Sequence, residues 1–157
     1  MKVSTKGRNA LRLMIDIGMN SADGSYVSLK AISGRQGISV KYLEQIVAPL
    51  TRAGMLRSAR GAQGGYRLQM DPKEYTAGQI LRAMEGSLAP IACLDFAPNE
   101  CDRYDQCPTI EFWEGMNRVI TEYVDGVTLE ELINQQRRRC VHQDECDAAG
   151  CAGCGGA

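Results

Sequence analysis

Residues 35–50, Arg-Gln-Gly-Ile-Ser-Val-Lys-Tyr-Leu-Glu-Gln-Ile-Val-Ala-Pro-Leu, decide how the rest of the chain is read. Gly37 stops one short helix, and Ser39 is an N-cap for the next, whose Tyr42, Leu43, Ile46, Val47 and Leu50 recur at helical spacing. Pro49 inside that pattern should kink the helix or end its regular hydrogen bonding near Ala48, with a further turn to Ala53 before Gly54. Upstream, Ser28 can cap the preceding helix, which carries Leu29 and Ile32 and runs to Gln36. Two short helices across a glycine turn read as a helix-turn-helix, with the second as recognition helix.

Immediately downstream, Met55–Arg60 and Tyr66–Leu68 flank the run Gly61-Ala62-Gln63-Gly64-Gly65, which predicts a β-hairpin. A hairpin directly after a helix-turn-helix is a wing, and its glycines permit positive φ and close backbone approach to a ligand such as DNA. On the other side, Ser4 caps a helix from about Thr5 to Asn20 with Leu11, Met14, Ile15 and Ile17 on one face. Asp23-Gly24 ends it, and Tyr26 and Val27 can form a short strand. Thr76 predicts a helix over Ala77–Glu85 that buries Ile80, Leu81 and Met84.

The second half has a different texture. Ile110, Phe112, Trp113, Met116, Val119, Ile120, Tyr123 and Val124 make a wide apolar stripe on a helix from about Thr109 to Asp125. That stripe is too broad for a small domain to bury alone, so it predicts a homodimer interface. Thr128 and Glu131 form a capping box for a last helix to about Arg139. From Cys140 the composition turns to Asp, Ala, Gly and Cys, which predicts a tail without order of its own. The expected fold is mainly α with a small β-hairpin: a winged helix-turn-helix domain over 1–85, a cysteine loop over 86–108, a long dimerisation helix and C-terminal helix over 109–139, and a tail over 140–157.

Charge follows the same division. Residues 1–72 hold 11 Lys or Arg against 4 Asp or Glu, a balance of +7; residues 73–157 hold 7 against 15, a balance of -8. A basic, compact half is the electrostatic footprint of a module that meets phosphates. No run of apolar residues is long enough to span a membrane and the N-terminus does not resemble a signal peptide, so a cytoplasmic location is expected. Seven cysteines are present, none in the first 92 residues, a distribution that argues against a disulfide framework and for ligands or redox sensors. Cys93, Cys101 and Cys107 are separated by seven and five residues in an Asp- and Asn-bearing loop, and three thiolates on one loop point to a metal or iron-sulfur site. Cys140, Cys146, Cys151 and Cys154 lie in the tail, the last two as a CxxC, with His142 between the first two.

In order along the chain, the segments STKGRNALRLMIDI (4–17), RQGISVKYLEQIVAPL (35–50) and SARGAQGGYRL (58–68) resemble those of the Rrf family of winged-helix regulators, most like its IscR-type iron-sulfur members. The resemblance spans Met1 to about Gln136. It implies a homodimer on double-stranded DNA with a palindromic operator, recognition helices in successive major grooves and wings in minor grooves. Lys41, Glu44 and Gln45 match the family's base-reading positions, and Arg60 the wing position that enters the minor groove. Gln can read adenine, a carboxylate can accept from cytosine N4, and Arg favours the negative potential of a narrow minor groove. Tyr42, Arg57, Gly64 and Gly65 complete the expected DNA-binding set.

The same resemblance implies an iron-sulfur cluster, 2Fe-2S or 4Fe-4S, on Cys93, Cys101 and Cys107. The fourth ligand departs from the pattern. IscR-type members carry a histidine three residues after the last cysteine, where this chain has Ile110; others take a carboxylate from the first helix at the position of Arg8, which cannot ligate. Glu111, a solvent molecule or a tail thiol remain open. The expected function is a cluster-sensing transcription regulator, a repressor rather than an enzyme. Its alternatives are a cofactor-free regulator of the same fold, or a small electron-transfer or cluster-carrier protein, which would have no use for a wing.

Overall fold

The computed structural model describes residues 3–148 other than 22, 62, 97, 98 and 100, and their side chains as far as Cys140. Its elements are α1 (Thr5–Asn20), α2 (Leu29–Gln36), α3 (Val40–Arg52), β1 (Leu56–Ala59), β2 (Gly65–Leu68), α4 (Ala77–Glu85), α5 (Ile110–Gly126) and α6 (Leu129–Ala148). Single 3-10 turns lie at Pro72–Glu74, Ala92–Leu94 and Tyr104–Gln106. Among the described residues the helices that begin with a capping hydroxyl start where that hydroxyl can accept an otherwise unpaired N–H. Ser4 accepts from Gly7, Ser28 from Ala31, Ser39 from Tyr42 and Thr76 from Gln79.

One apolar core holds α1, α3 and α4 together and reaches the first turns of α6. Leu13, Met14 and Ile17 of α1, Leu43, Ile46 and Leu50 of α3, Ile80 of α4 and Leu129 of α6 are fully buried in it. At roughly 1.5–3 kcal/mol for each large side chain removed from water, these residues dominate the stabilisation of the unit. Tyr75 is also fully buried, and its hydroxyl donates to the Met55 carbonyl and accepts from the Met70 N–H, closing the base of the hairpin with a satisfied polar pair.

The hairpin is antiparallel with Leu56 opposite Leu68 and Ala59 opposite Gly65. Val27 and Tyr66 exchange backbone hydrogen bonds, which ties the segment before α2 to the wing. Pro49 does not interrupt α3. It lies in the last turn, where its missing N–H leaves only the Gln45 carbonyl without its helical donor, and buried Val47 and Leu50 hold the turn through Arg52.

The tail from Cys140 differs from expectation. The α6 backbone continues through Arg139 to Ala148, because residues 137–148 contain neither Gly nor Pro and nothing in them breaks a helix. Cys140 and Cys146 are therefore helical, whereas Cys151 and Cys154 lie outside the described residues. No helix among those described is long and apolar enough to cross a membrane.

Candidate nucleic-acid interface and cysteine loop

Helix α3 divides its surface cleanly. Leu43, Ile46, Val47 and Leu50 face the core, which leaves Lys41, Glu44 and Gln45 exposed at i, i+3 and i+4 on the opposite side. Tyr42 is half-buried and packs against the core. The helix thus presents one charged, hydrogen-bonding row on a face backed by the core.

A buried carboxylate sets the approach of the two helices before it. Asp16, on the inward face of α1, accepts from Arg35 Nε at 3.0 Å and Nη2 at 2.6 Å, and from Gln36 Nε2 at 2.9 Å. Its side chain is 3% exposed, so these donors at the end of α2 replace water around a charge that could not otherwise be buried. Arg12 adds a second link, donating to the side-chain and backbone oxygens of Gln36. The network was not anticipated from sequence, although an Asp among Leu13, Met14 and Ile17 on an apolar face was the available signal.

In the wing, Arg57 and Arg60 are exposed. Arg57 pairs in register with Arg67, an arrangement of like charges that would be unfavourable if both guanidiniums stayed together. Arg67 instead donates to the Gly24 carbonyl at 3.0 Å and stacks over the Tyr26 ring at 4.9 Å. The glycines have a reason that sequence reasoning missed. A side chain at Gly65 would strike the Val27 carbonyl and the Ser28 nitrogen, and one at Gly64 the Ala59 and Gly61 carbonyls. The close approach that demands glycine is therefore to the chain's own backbone, whatever else the wing approaches.

The cysteine loop is threaded by short-range hydrogen bonds. Asn99 joins two of its cysteines, donating to the Cys93 carbonyl at 2.5 Å and accepting from the Cys101 N–H at 2.8 Å. The Cys101 carbonyl accepts from Tyr104 N–H, and the Tyr104 carbonyl from Cys107 N–H. Cys107 immediately precedes α5, where hydrogen bonding from Thr109 favours the thiolate and lowers its pKa. Cys93, Cys101, Cys107 and Cys140 are free thiols. Among the described residues, no three Cys, His, Asp or Glu side chains come together as a metal site. Ile110 is half-buried, Glu111 and Arg8 are exposed, and Gln136 donates to the Cys140 sulfur at 3.5 Å on α6.

Helix α5 has no buried residue. Phe112, Val119 and Tyr123 are 60%, 62% and 72% exposed, and Met116 lies between them on the same face. Such a contiguous apolar row marks a surface meant to be covered.

A compact helix-turn-helix followed by a two-stranded wing, with polar and basic residues on both reading elements, defines a winged-helix DNA-binding regulator. The chain belongs to the Rrf2 family, described as iron-dependent transcriptional regulators, whose model matches residues 3–135. It is 40% identical over 135 residues to the transcriptional regulator CymR of Bacillus subtilis, covering 85% of this chain and 91% of that one. It is 35% identical over 150 residues to IscR of Aliivibrio salmonicida, covering 95% and 88%. Solved structures agree. That of CymR, the global cysteine regulator of B. subtilis, matches with a TM-score of 0.71 at 36% identity, covering 86% of this chain and 98% of that one. T. potens IscR matches with a TM-score of 0.67 at 38% identity, covering 87% and 88%.

Proposed function

We propose that the chain is a homodimeric regulator that reads a palindromic operator with α3 and the wing, and that an iron-sulfur cluster on Cys93, Cys101 and Cys107 adjusts its hold on DNA, with repression as the outcome of operator occupancy. The observation that carries the DNA reading is the exposed row Lys41, Glu44 and Gln45, backed by a buried helix face. Arg57 and Arg60 supply positive charge from the wing, with Tyr42, Gly64 and Gly65 shaping the two elements. The apolar row on α5 supports the dimer.

Support for the cluster comes from the donor set. Three thiols on one loop are soft donors, and the hydrogen bonding around Cys107 favours its ligating, deprotonated form. When bound, such a group supplies a redox-active cross-link between loop segments. The chain's own part is to bring the three sulfurs together, with Asn99 already joining the Cys93 and Cys101 segments, and to transmit loop closure into the first turn of α5. The fourth ligand is left to Glu111, a solvent molecule or a tail thiol. The similarity to CymR, a cysteine regulator, favours a second reading, a cofactor-free regulator that responds through the thiols themselves.

Protein purified without oxygen and supplied with iron and sulfide separates the two. A brown protein whose Mössbauer spectrum reports two or four irons, and which loses most of its visible absorbance on Cys93→Ala, Cys101→Ala or Cys107→Ala, supports the cluster. A colourless protein overturns it in favour of the thiol reading. On DNA, affinity should fall steeply with salt; Arg60→Ala should weaken binding broadly, and Glu44→Ala should relax sequence choice by about 1–3 kcal/mol per lost contact. An equal loss on all sequences from the Glu44 change contradicts a base-reading role.

A further inference from the structure

Helix α5 spans 17 residues without burying one, yet it leaves the winged-helix unit in a defined direction. At about 1.5 Å per residue it is a rod of roughly 25 Å. The rod is tied to the winged-helix unit at its C-terminal end. The Val127 carbonyl accepts from Ala77 N–H at 2.8 Å, Leu129 N–H donates to the Tyr75 carbonyl at 2.9 Å, and Thr76 and Thr128 form an isolated antiparallel bridge. These bonds fix where α5 ends, beside the start of α4.

Arg82 of α4 adds a directional contact near that end. Its Nη1 and Nη2 donate to the two carboxylate oxygens of Asp125 at 2.6 and 2.9 Å, a bidentate geometry that specifies orientation as well as distance. The approach leaves no room for a side chain on α4 unless the paired groups shift. A Cβ at Gly78 would collide with Asp125 Oδ1 and lie 2.8 Å from Arg82 Nη1 and 2.9 Å from Val124 Cγ2. Gly78 is buried and its φ lies outside the left-handed region, so backbone conformation does not explain the residue. What it provides is room for the ion pair.

We propose that the Arg82–Asp125 pair, seated over Gly78, is the positioning device that fixes the angle between each winged-helix unit and the dimerisation rod, and so selects the spacing between operator half-sites. This rests on the dimer reading above. In a dimer joined through α5, the two recognition helices lie at the far ends of two such joints, so a change of angle at either one moves them apart or together along the duplex. Half-site spacing is then a geometric property of the joint, whereas base choice within a half-site belongs to Lys41, Glu44 and Gln45.

The test uses the full chain and a duplex library in which the half-site selected by the wild-type protein is repeated as an inverted pair, with spacing varied one base pair at a time. Sedimentation is measured alongside. The wild-type dimer should prefer one spacing over its neighbours by about tenfold or more. Asp125→Asn should flatten that preference to within about threefold while leaving base preference inside the half-site unchanged. Gly78→Ala, which leaves both charged residues in place, should shift or flatten the profile in the same way. Both variants are checked by thermal unfolding, and Arg82→Lys, which keeps the charge but loses the bidentate fork, should fall between wild type and Asp125→Asn. Folded, dimeric variants that retain the wild-type spacing profile overturn the proposal. A wild-type protein that sediments as a monomer and shows no spacing preference overturns the dimer reading and this inference with it.

Discussion

The winged-helix unit and the cysteine loop with α5 are built on opposite terms. In the first, α1, α3 and α4 bury whole side chains against one another, and buried polar groups such as Asp16 and the Tyr75 hydroxyl find partners within the chain. In the second, α5 buries nothing completely, the loop is ordered by local turns, and the apolar face is left outward. The reading head is complete in one subunit. The other half leaves the apolar row of α5 uncovered within a single chain.

That contrast can be broken most forcefully in the core. Ile46→Ala should cost about 2–5 kcal/mol in denaturant unfolding, because a fully buried α3 residue leaves a cavity that its neighbours cannot fill. Val119→Ala, a smaller truncation at a position 62% exposed on α5, should move monomer stability by less than about 0.5 kcal/mol and register instead as weaker dimerisation in sedimentation. Comparable unfolding costs for the two would mean that the regions are not built differently.

A smaller change sharpens the polar side of the comparison. Tyr75→Phe keeps the buried ring but strips the hydroxyl from the Met55 carbonyl and the Met70 N–H, and should cost about 1–3 kcal/mol by the same measurement. An effect weaker than that of Tyr75→Phe is expected at the joint. Hydrogen bonding from Arg82 holds the Asp125 pKa below the usual carboxylate range, against the opposing effect of burial. Its contribution is therefore fully present above about pH 4 and is lost as pH falls through the lowered folded value. With both side chains more than a third exposed, solvent screening keeps that contribution to about 1 kcal/mol or less. Comparing acid unfolding of the wild type with Asp125→Asn isolates it; a difference that persists unchanged below the transition would rule out titration of Asp125 as its source.

Much of this was legible beforehand. The caps at Ser4, Ser28, Ser39 and Thr76 located four helix starts, because an N-cap hydroxyl and its unpaired N–H are only a few residues apart and need no tertiary information. The wing and the exposed row on α3 followed from turn residues and helical period in the same way. Expectation failed where composition was read too strongly: the Asp, Ala, Gly and Cys content after Arg139 did not stop α6, whereas the further turn expected beyond Pro49 is present and helical to Arg52.

By itself, then, the sequence determined the helical and hairpin elements, the charge division and the three loop cysteines, since each depends on residues close together along the chain. Only the tertiary structure decided that Asp16 meets Arg35 and Gln36, that Gly65 passes against Val27, and that Asp125 closes on Arg82 over Gly78. Those pairings join residues 19 to 43 positions apart or depend on a few ångströms of backbone approach. Periodicity and capping carry no information about which distant polar groups will meet, because that is set by how the buried faces pack.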